Sequence, residues 1–256
     1  MHYAVPTLFA RAGMLGHFYT DAAGNVGLIG AFGKVVPLRA CPARMRRLLA
    51  RKIPREISSG RVTTAQYLVL RDVFLGRLPP TRGWSEAAVD WLRKKMVAED
   101  FGGANALYCL DNSDLEMIQE AKRRGLAVVY EQVIAPQVGR ILREERARFP
   151  GPEVQEPEEA VEEGIRRDIA VWKLADVVLA PSDFVREGMI VLGADPTRIK
   201  LVPYGLPERW YGAPARPIPG RVLFVGSVGL RKGNHYLASA CALLRERGVN
   251  ADFRVV

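Results

Sequence analysis

Beyond residue 100, apolar positions fall into runs of four or five that alternate with stretches of helical spacing. Residues 106–110 (ALYCL) form one such run, with Gly102 and Gly103 before it and a polar loop, 111–114, after it. In 115–124, Leu115, Ile118 and Ala121 share one side, which predicts a helix. Gly125 marks its stop, where only glycine takes the left-handed conformation cheaply. Residues 126–130 (LAVVY) then predict a fully buried strand. Strand, helix, glycine, strand is a βαβ unit, and it implies a parallel sheet covered on both faces.

The pattern continues. Residues 150–159 (PGPEVQEPEE) read as a surface connector, followed by a helix over Glu158–Leu174 with Val161, Ile165, Ile169 and Trp172 on one face. Its acidic first turn suits the positive end of the helix dipole. Residues 176–180 (DVVLA) predict another buried strand. Pro181 and Ser182 then open a helix that runs to Leu192 and stops at Gly193. A short strand over 199–202 ends at Pro203, Tyr204 and Gly205. Two or more βαβ units predict an α/β chain with a doubly wound sheet. Residues 207–220, with four prolines and no period, have linker composition. After them, 221–225 (RVLFV) reads as a strand, 234–247 as a helix and 253–256 as a further strand.

The first 100 residues are less regular. Gly24, Gly27, Gly30 and Gly33 recur at every third position, which does not match GxGxxG and reads as a flexible loop or turn series. Residues 79–86 (PPTRGWSE) read as a loop closing into a helix, with Ser85 as N-cap ahead of Glu86 to Val97. Basic residues gather in 39–61, beside an apolar stripe of Met45, Leu48, Leu49 and Ile53. That stretch suits an anionic membrane surface or, equally, a solvated helix.

Composition narrows the class. The 256 residues are 48% hydrophobic and 25% charged, as in globular chains, and no run approaches the length of a membrane span. No charged segment leads into an apolar run at the N-terminus, so a secretory signal is not supported. Three widely spaced cysteines, Cys41, Cys109 and Cys241, read as thiols in a reducing, cytoplasmic compartment. A net charge of +9 is compatible with nucleic acid, an anionic membrane face or phosphorylated substrates. The absence of aromatic interleaving and of RNA-binding signatures argues against nucleic acid.

The strand–loop–helix of residues 222–240 is the strongest site candidate. Its loop, Gly226-Ser227-Val228-Gly229-Leu230-Arg231-Lys232-Gly233, lets backbone approach a ligand closely, and the helix start behind it favours an anion. Arg231 offers a planar fork and Lys232 a mobile charge, a combination that fits a diphosphate. A plain turn with two solvated cations is the alternative. The loop is neither a Walker A sequence nor the dinucleotide fingerprint.

Residues 176–205 (DVVLAPSDFVREGMIVLGADPTRIKLVPYG) resemble the stretch that closes the N-terminal domain of family 4 glycosyltransferases of the GT-B fold. Residues 224–240 (FVGSVGLRKGNHYLASA) are similar to that family's phosphate loop and following helix. The resemblance covers residues 170–247, and 104–175 fit its architecture. It implies an acceptor-side Rossmann-like domain over 1–206, an interdomain linker over 207–220 and the start of a nucleotide-sugar domain over 221–256. It further implies a transferase that moves a sugar from a nucleotide-diphosphate sugar to an unknown sugar, lipid-linked or small-molecule acceptor with retention, with no metal and no cofactor beyond that co-substrate. Gly226, Ser227, Arg231, Lys232 and Gly233 would hold the donor diphosphate. Lys232 matches the lysine of the family's KG pair. Ser227 stands where the family usually has arginine, so Arg231 would supply the second cation. The family's E-x7-E element and its N-terminal glycine-rich loop have no counterpart in 1–256. Either the start is misplaced or the sequence is a fragment at both ends, and the chain itself is not expected to turn over a donor.

The alternatives are a non-catalytic binding protein that keeps the acceptor-side domain, and a phosphosugar enzyme such as an epimerase. No residue is assigned a catalytic role. His2, His17 and His235 lack metal spacing and read as structural or surface residues. Ser182 reads as an N-cap. Glu131 and Gln132 end a strand where α/β crevices form, which allows an acceptor-hydroxyl contact but favours a capping or loop role, and Glu131, Tyr204 and Gly205 are the cleft-lining candidates.

Overall fold

In the computed structural model the described residues are 3–35, 39, 41–75, 85–110, 115–151, 153–206, 210–212, 214 and 216–256. His2, the 111–114 loop, the 79–84 part of the PPTRGWSE loop and parts of the 207–220 linker lie outside them. The chain is α/β, and every strand pairing with a described register is parallel. It divides into two compact units, residues 1–108 with 112–128, and 109–111 with 129–256.

In the first unit, β1 (Phe18–Thr20) and β2 (Val62–Thr64) form a two-stranded parallel sheet, with Phe18 opposite Val62. Six helices accompany them: α1 (Ala4–Arg11), α2 (Gly27–Val35), α3 (Ala43–Ala50), α4 (Gln66–Phe74), α5 (Glu86–Ala98) and α6 (Leu115–Arg123). Ser85 caps α5, its hydroxyl accepting the Ala88 N–H at 3.1 Å. The glycines at 27, 30 and 33 lie on a helix, not in a turn series. They are small because neighbours come close. A Cβ on Gly33 would stand 2.8 Å from a Leu49 methyl, and one on Gly30 would stand 2.7 Å from the Asn25 backbone. Met45, Leu48 and Leu49 of α3 join Ile29 in the core, and Ile53 enters a second cluster with Leu15, Ala23 and Ile57. The stripe beside the basic run is therefore interior and is not available to lipid.

The four-stranded sheet has the order β3-β4-β5-β6, with β3 at Ala106–Leu110, β4 at Ala127–Glu131, β5 at Val177–Ala180 and β6 at Ile199–Leu201. In the second unit α7 (Val138–Arg148) and α8 (Glu158–Leu174) connect β4 to β5, and α9 (Asp183–Val191) connects β5 to β6. A doubly wound sheet needs its strand order to reverse. Among the described strands β4, β5 and β6 run in chain order without reversal. Right-handed crossovers then fall on one face. Burial along β4 and β5 accordingly alternates, with Val128, Tyr130, Val178 and Ala180 buried and their neighbours partly exposed, so these strands are not buried on both faces. Gly125 and Gly193 end their helices at positive φ, 82° and 93°, as the helix stops require.

Candidate functional site

The second unit also carries β7 (Arg221–Phe224), α10 (Asn234–Glu246) and β8 (Asp252–Val255). β7 and β8 are parallel neighbours, with Arg221 opposite Asp252 and Phe224 opposite Val255, so the segment is a βαβ unit. The loop between β7 and α10 turns at Gly226, whose φ of 153° suits glycine, and closes through a 3-10 turn, Leu230–Lys232. Gly233 caps α10 at φ 74°. A Cβ there would meet nothing within 4 Å, so the backbone angle rather than space requires glycine.

Leu230 is buried and pins the turn, while Ser227, Arg231 and Lys232 are exposed. The Lys232 methylenes lie about 4.0 Å from where a Cβ on Gly226 would be, so this side chain lies along the loop. Among the described residues, neither Arg231 nor Lys232 forms an ion pair. All five sequence-predicted loop residues thus sit on one turn, two of them as uncompensated cations at the start of a helix whose first N–H groups have no intrahelical acceptor.

Two loop amides are already engaged. The Gly229 N–H donates to Asn234 Oδ1 at 2.8 Å, and the Leu230 N–H donates to Glu153 Oε1 at 2.8 Å. Glu153 follows α7, and its other oxygen accepts from Arg146 Nε at 3.2 Å. The Leu230 amide holds the Glu153 carboxyl below its ordinary 4.5, and Arg146 adds to that against the opposing effect of burial. A second tie lies one turn along. His235 Nε2 is 2.8 Å from Glu145 Oε1, and its ring packs against Phe149 at 4.4 Å and Tyr236 at 4.1 Å between centroids. The Tyr236 hydroxyl, and then His235, hold the Glu145 carboxyl low. His235 is thus a packing residue, in keeping with the structural role read from the sequence. Glu145, Phe149 and Glu153 were not singled out by sequence reasoning. They meet the loop across 77 to 90 residues, and no local pattern signals that.

The remaining candidates lie at strand ends. Glu131 ends β4 and is half-buried, while Tyr204 and Gly205 follow β6 and are exposed. Gln132 is interior: its Oε1 accepts from Trp172 Nε1 at 2.8 Å and its Nε2 donates to the Ile134 carbonyl at 2.9 Å. Ser182 caps α9, accepting the Val185 N–H. In the first unit His17 Nε2 contacts Thr63 Oγ1 at 2.9 Å and its ring packs on Tyr19. A cavity of about 200 Å³ lies between α8 and the end of α9, lined by Trp172, Lys173, Asp195 and Arg198 among others. Arg198 there is tied to Asp195 and to the Ala175 carbonyl, so it serves the fold. Among the described residues no group of three or more His, Cys, Asp or Glu side chains could hold a metal, and no helix is long and apolar enough to cross a membrane.

Compared with protein-family models, curated proteins and solved structures, the chain matches none of them.

Proposed function

We propose that the chain carries the acceptor-side Rossmann-like domain (1–206), the linker (207–220) and the start of the nucleotide-sugar domain (221–256) of a cytoplasmic GT-B glycosyltransferase. Its 226–233 loop binds the diphosphate of a nucleotide sugar. The observation that carries this reading is the pair of exposed, unpaired cations, Arg231 and Lys232, on a glycine turn between a parallel strand and a helix start. A leaving diphosphate gathers negative charge as the glycosidic bond to it breaks. Fixed donors and cations around it lower that barrier without reorganising. Arg231 and Lys232 supply the charge, Gly226 and Gly233 the close approach, and Ser227 a hydroxyl donor.

The Glu153 carboxylate on the Leu230 amide favours a second reading, in which the loop is a structural turn of a non-catalytic binding protein. Calorimetric titration with uridine, guanosine and adenosine diphosphates and the matching monophosphates separates the two. The transferase reading expects at least one diphosphate to bind more tightly than its monophosphate, and Lys232→Ala and Arg231→Ala each to weaken it about tenfold, the value of one charge-assisted contact. No diphosphate preference, or unchanged affinity in both variants, overturns it in favour of the structural turn.

A further inference from the structure

The helix α2, unexpected from the glycine spacing, presents a face that no described residue of its unit covers. Leu28, Phe32 and Val35 are 64%, 43% and 83% exposed. With the exposed Ala31 they stand at i, i+3, i+4 and i+7, which gathers them within about 100° of the helix circumference. The opposite side, Ile29 and Gly30, is buried, and Gly33 abuts Leu49 of α3. Three large apolar side chains on one helical face are more than scattered surface residues.

The charge of the segment that carries this face has one sign. Residues 22–55 hold eight Lys and Arg and no Asp or Glu, against a net +9 for the whole chain. Arg51 is committed to the fold, bidentate on Asp21 at 2.9 and 2.5 Å. Lys34, Arg39, Arg46, Arg47 and Arg55 are exposed and form no ion pair among the described residues. Lys34 is on α2 itself, and Arg46 and Arg47 are on α3, which packs directly on α2.

We propose that this surface docks on an anionic lipid bilayer, with the Leu28, Phe32 and Val35 side chains entering the headgroup–acyl boundary and the exposed cations of residues 34–55 meeting lipid phosphates. An exposed apolar helical face in a segment whose charged residues are all lysine and arginine is the pattern of an interfacial helix, for which hydrophobic burial and electrostatic attraction add. The occupant follows from the charge. A protein partner or a second copy would cover the apolar face, but a second copy would bring the same unpaired positive field against itself.

Co-sedimentation with phosphatidylcholine vesicles, with and without added phosphatidylglycerol, tests this on the whole chain, with circular dichroism confirming that each variant folds. Binding to the anionic vesicles and weak or no binding to the neutral ones is expected. Leu28→Gln, Phe32→Gln and Val35→Gln together should reduce it by tenfold or more. Arg46→Gln with Arg47→Gln should reduce it roughly thirtyfold and weaken its salt dependence, from about fivefold per cation. Failure of the chain to bind anionic vesicles overturns the proposal, as does undiminished binding by the apolar triple variant. Binding that the apolar variant leaves unchanged on single-stranded RNA, without vesicle binding, reassigns the cations to nucleic acid. A dimer in vesicle-free sedimentation that the triple variant abolishes reassigns the face to self-association.

Discussion

Replacing Glu153 by alanine removes the one carboxylate among the described residues that reaches the loop backbone from outside the βαβ unit. In the wild type that carboxylate accepts the Leu230 N–H at 2.8 Å and is oriented by Arg146. A hydrogen bond to an ionised acceptor contributes about 1.5–3 kcal/mol. Glu153 is 28% and Arg146 16% exposed at the side chain, and solvent screening moves the figure toward about 1–2 kcal/mol. Because the contact is local, the cost appears as easier opening of the turn rather than as global unfolding. The Leu230 amide should therefore lose protection from hydrogen exchange by a factor of about 5–30. Glu153→Gln, which keeps an acceptor oxygen without charge, should fall between. Unchanged Leu230 protection in Glu153→Ala would show that the carboxylate does not hold the loop.

The same substitution has an electrostatic consequence. It frees an amide and removes a negative charge beside Arg231 and Lys232. If the turn takes a diphosphate, pyrophosphate affinity should rise by a factor comparable to the loss of protection, because the ligand no longer displaces an internal anion. Loss of protection with no gain in affinity would leave Glu153 as a loop tie and remove the Leu230 amide from the anion site. The pH dependence has a definite sign. The folded Glu153 carboxyl lies below its ordinary 4.5, so its contribution is complete above that pH. It fades as pH falls through the lowered folded value. Wild type and Glu153→Ala should therefore converge in Leu230 protection, corrected for intrinsic exchange, only in that acid range.

Gln132→Leu leaves the buried Trp172 N–H and the Ile134 carbonyl without this partner, at about 1–3 kcal/mol. Calorimetry should show a midpoint roughly 3–10 °C lower, and an unchanged midpoint would refute that role. Gly30→Ala should cost about 1–3 kcal/mol because its methyl meets backbone, whereas Gly33→Ala meets only the tip of Leu49 and gains helix propensity of about 1 kcal/mol. Equal denaturant midpoints for the two would contradict the close packing of α2. Tyr19 is pushed up to about 12 from 10.0 by burial and by its hydrogen bond to Glu99. Stability from its neutral phenol is full below 10 and lost as pH rises through about 12. In a spectrophotometric titration, Tyr19→Phe should remove a tyrosinate step near 12, and loss of a step near 10 would refute the assignment.

Most elements beyond residue 104 were legible because they carry their own boundary marks, whereas α7, which has no side-chain cap at Gln137, was not read from the sequence. The bounds of β3 and α8 agree with the sequence reading, and β4, β5, α9, β7 and α10 fall within a residue or two of it. Ser85, Ser182, Gly125 and Gly193 act as the caps and stops that their residue types favour. Strand order was not legible, because alternation within a strand says nothing about its neighbours. The first unit was obscure for a different reason. Strands of three residues, β1 and β2, are too short for a period of two to register. A glycine at every third position signals turns locally, yet here it lets α2 approach Leu49 and Asn25.

The two apolar stripes exchanged places for the same reason. Met45, Leu48, Leu49 and Ile53 have the look of a lipid-facing side beside arginines, and tertiary packing took them inside. Leu28, Phe32 and Val35 lie among glycines, carry no periodic signal beyond their spacing, and were left outside. Which stripe faces water depends on what packs against it, and that is a non-local fact. The loop shows the contrast. Gly226, Ser227, Arg231, Lys232 and Gly233 were readable together because they are contiguous. The carboxylate that ties their backbone lies 77 residues from the amide it holds. A contiguous motif can thus be read from the sequence, while the carboxylate that ties its backbone becomes visible only once the chain is folded.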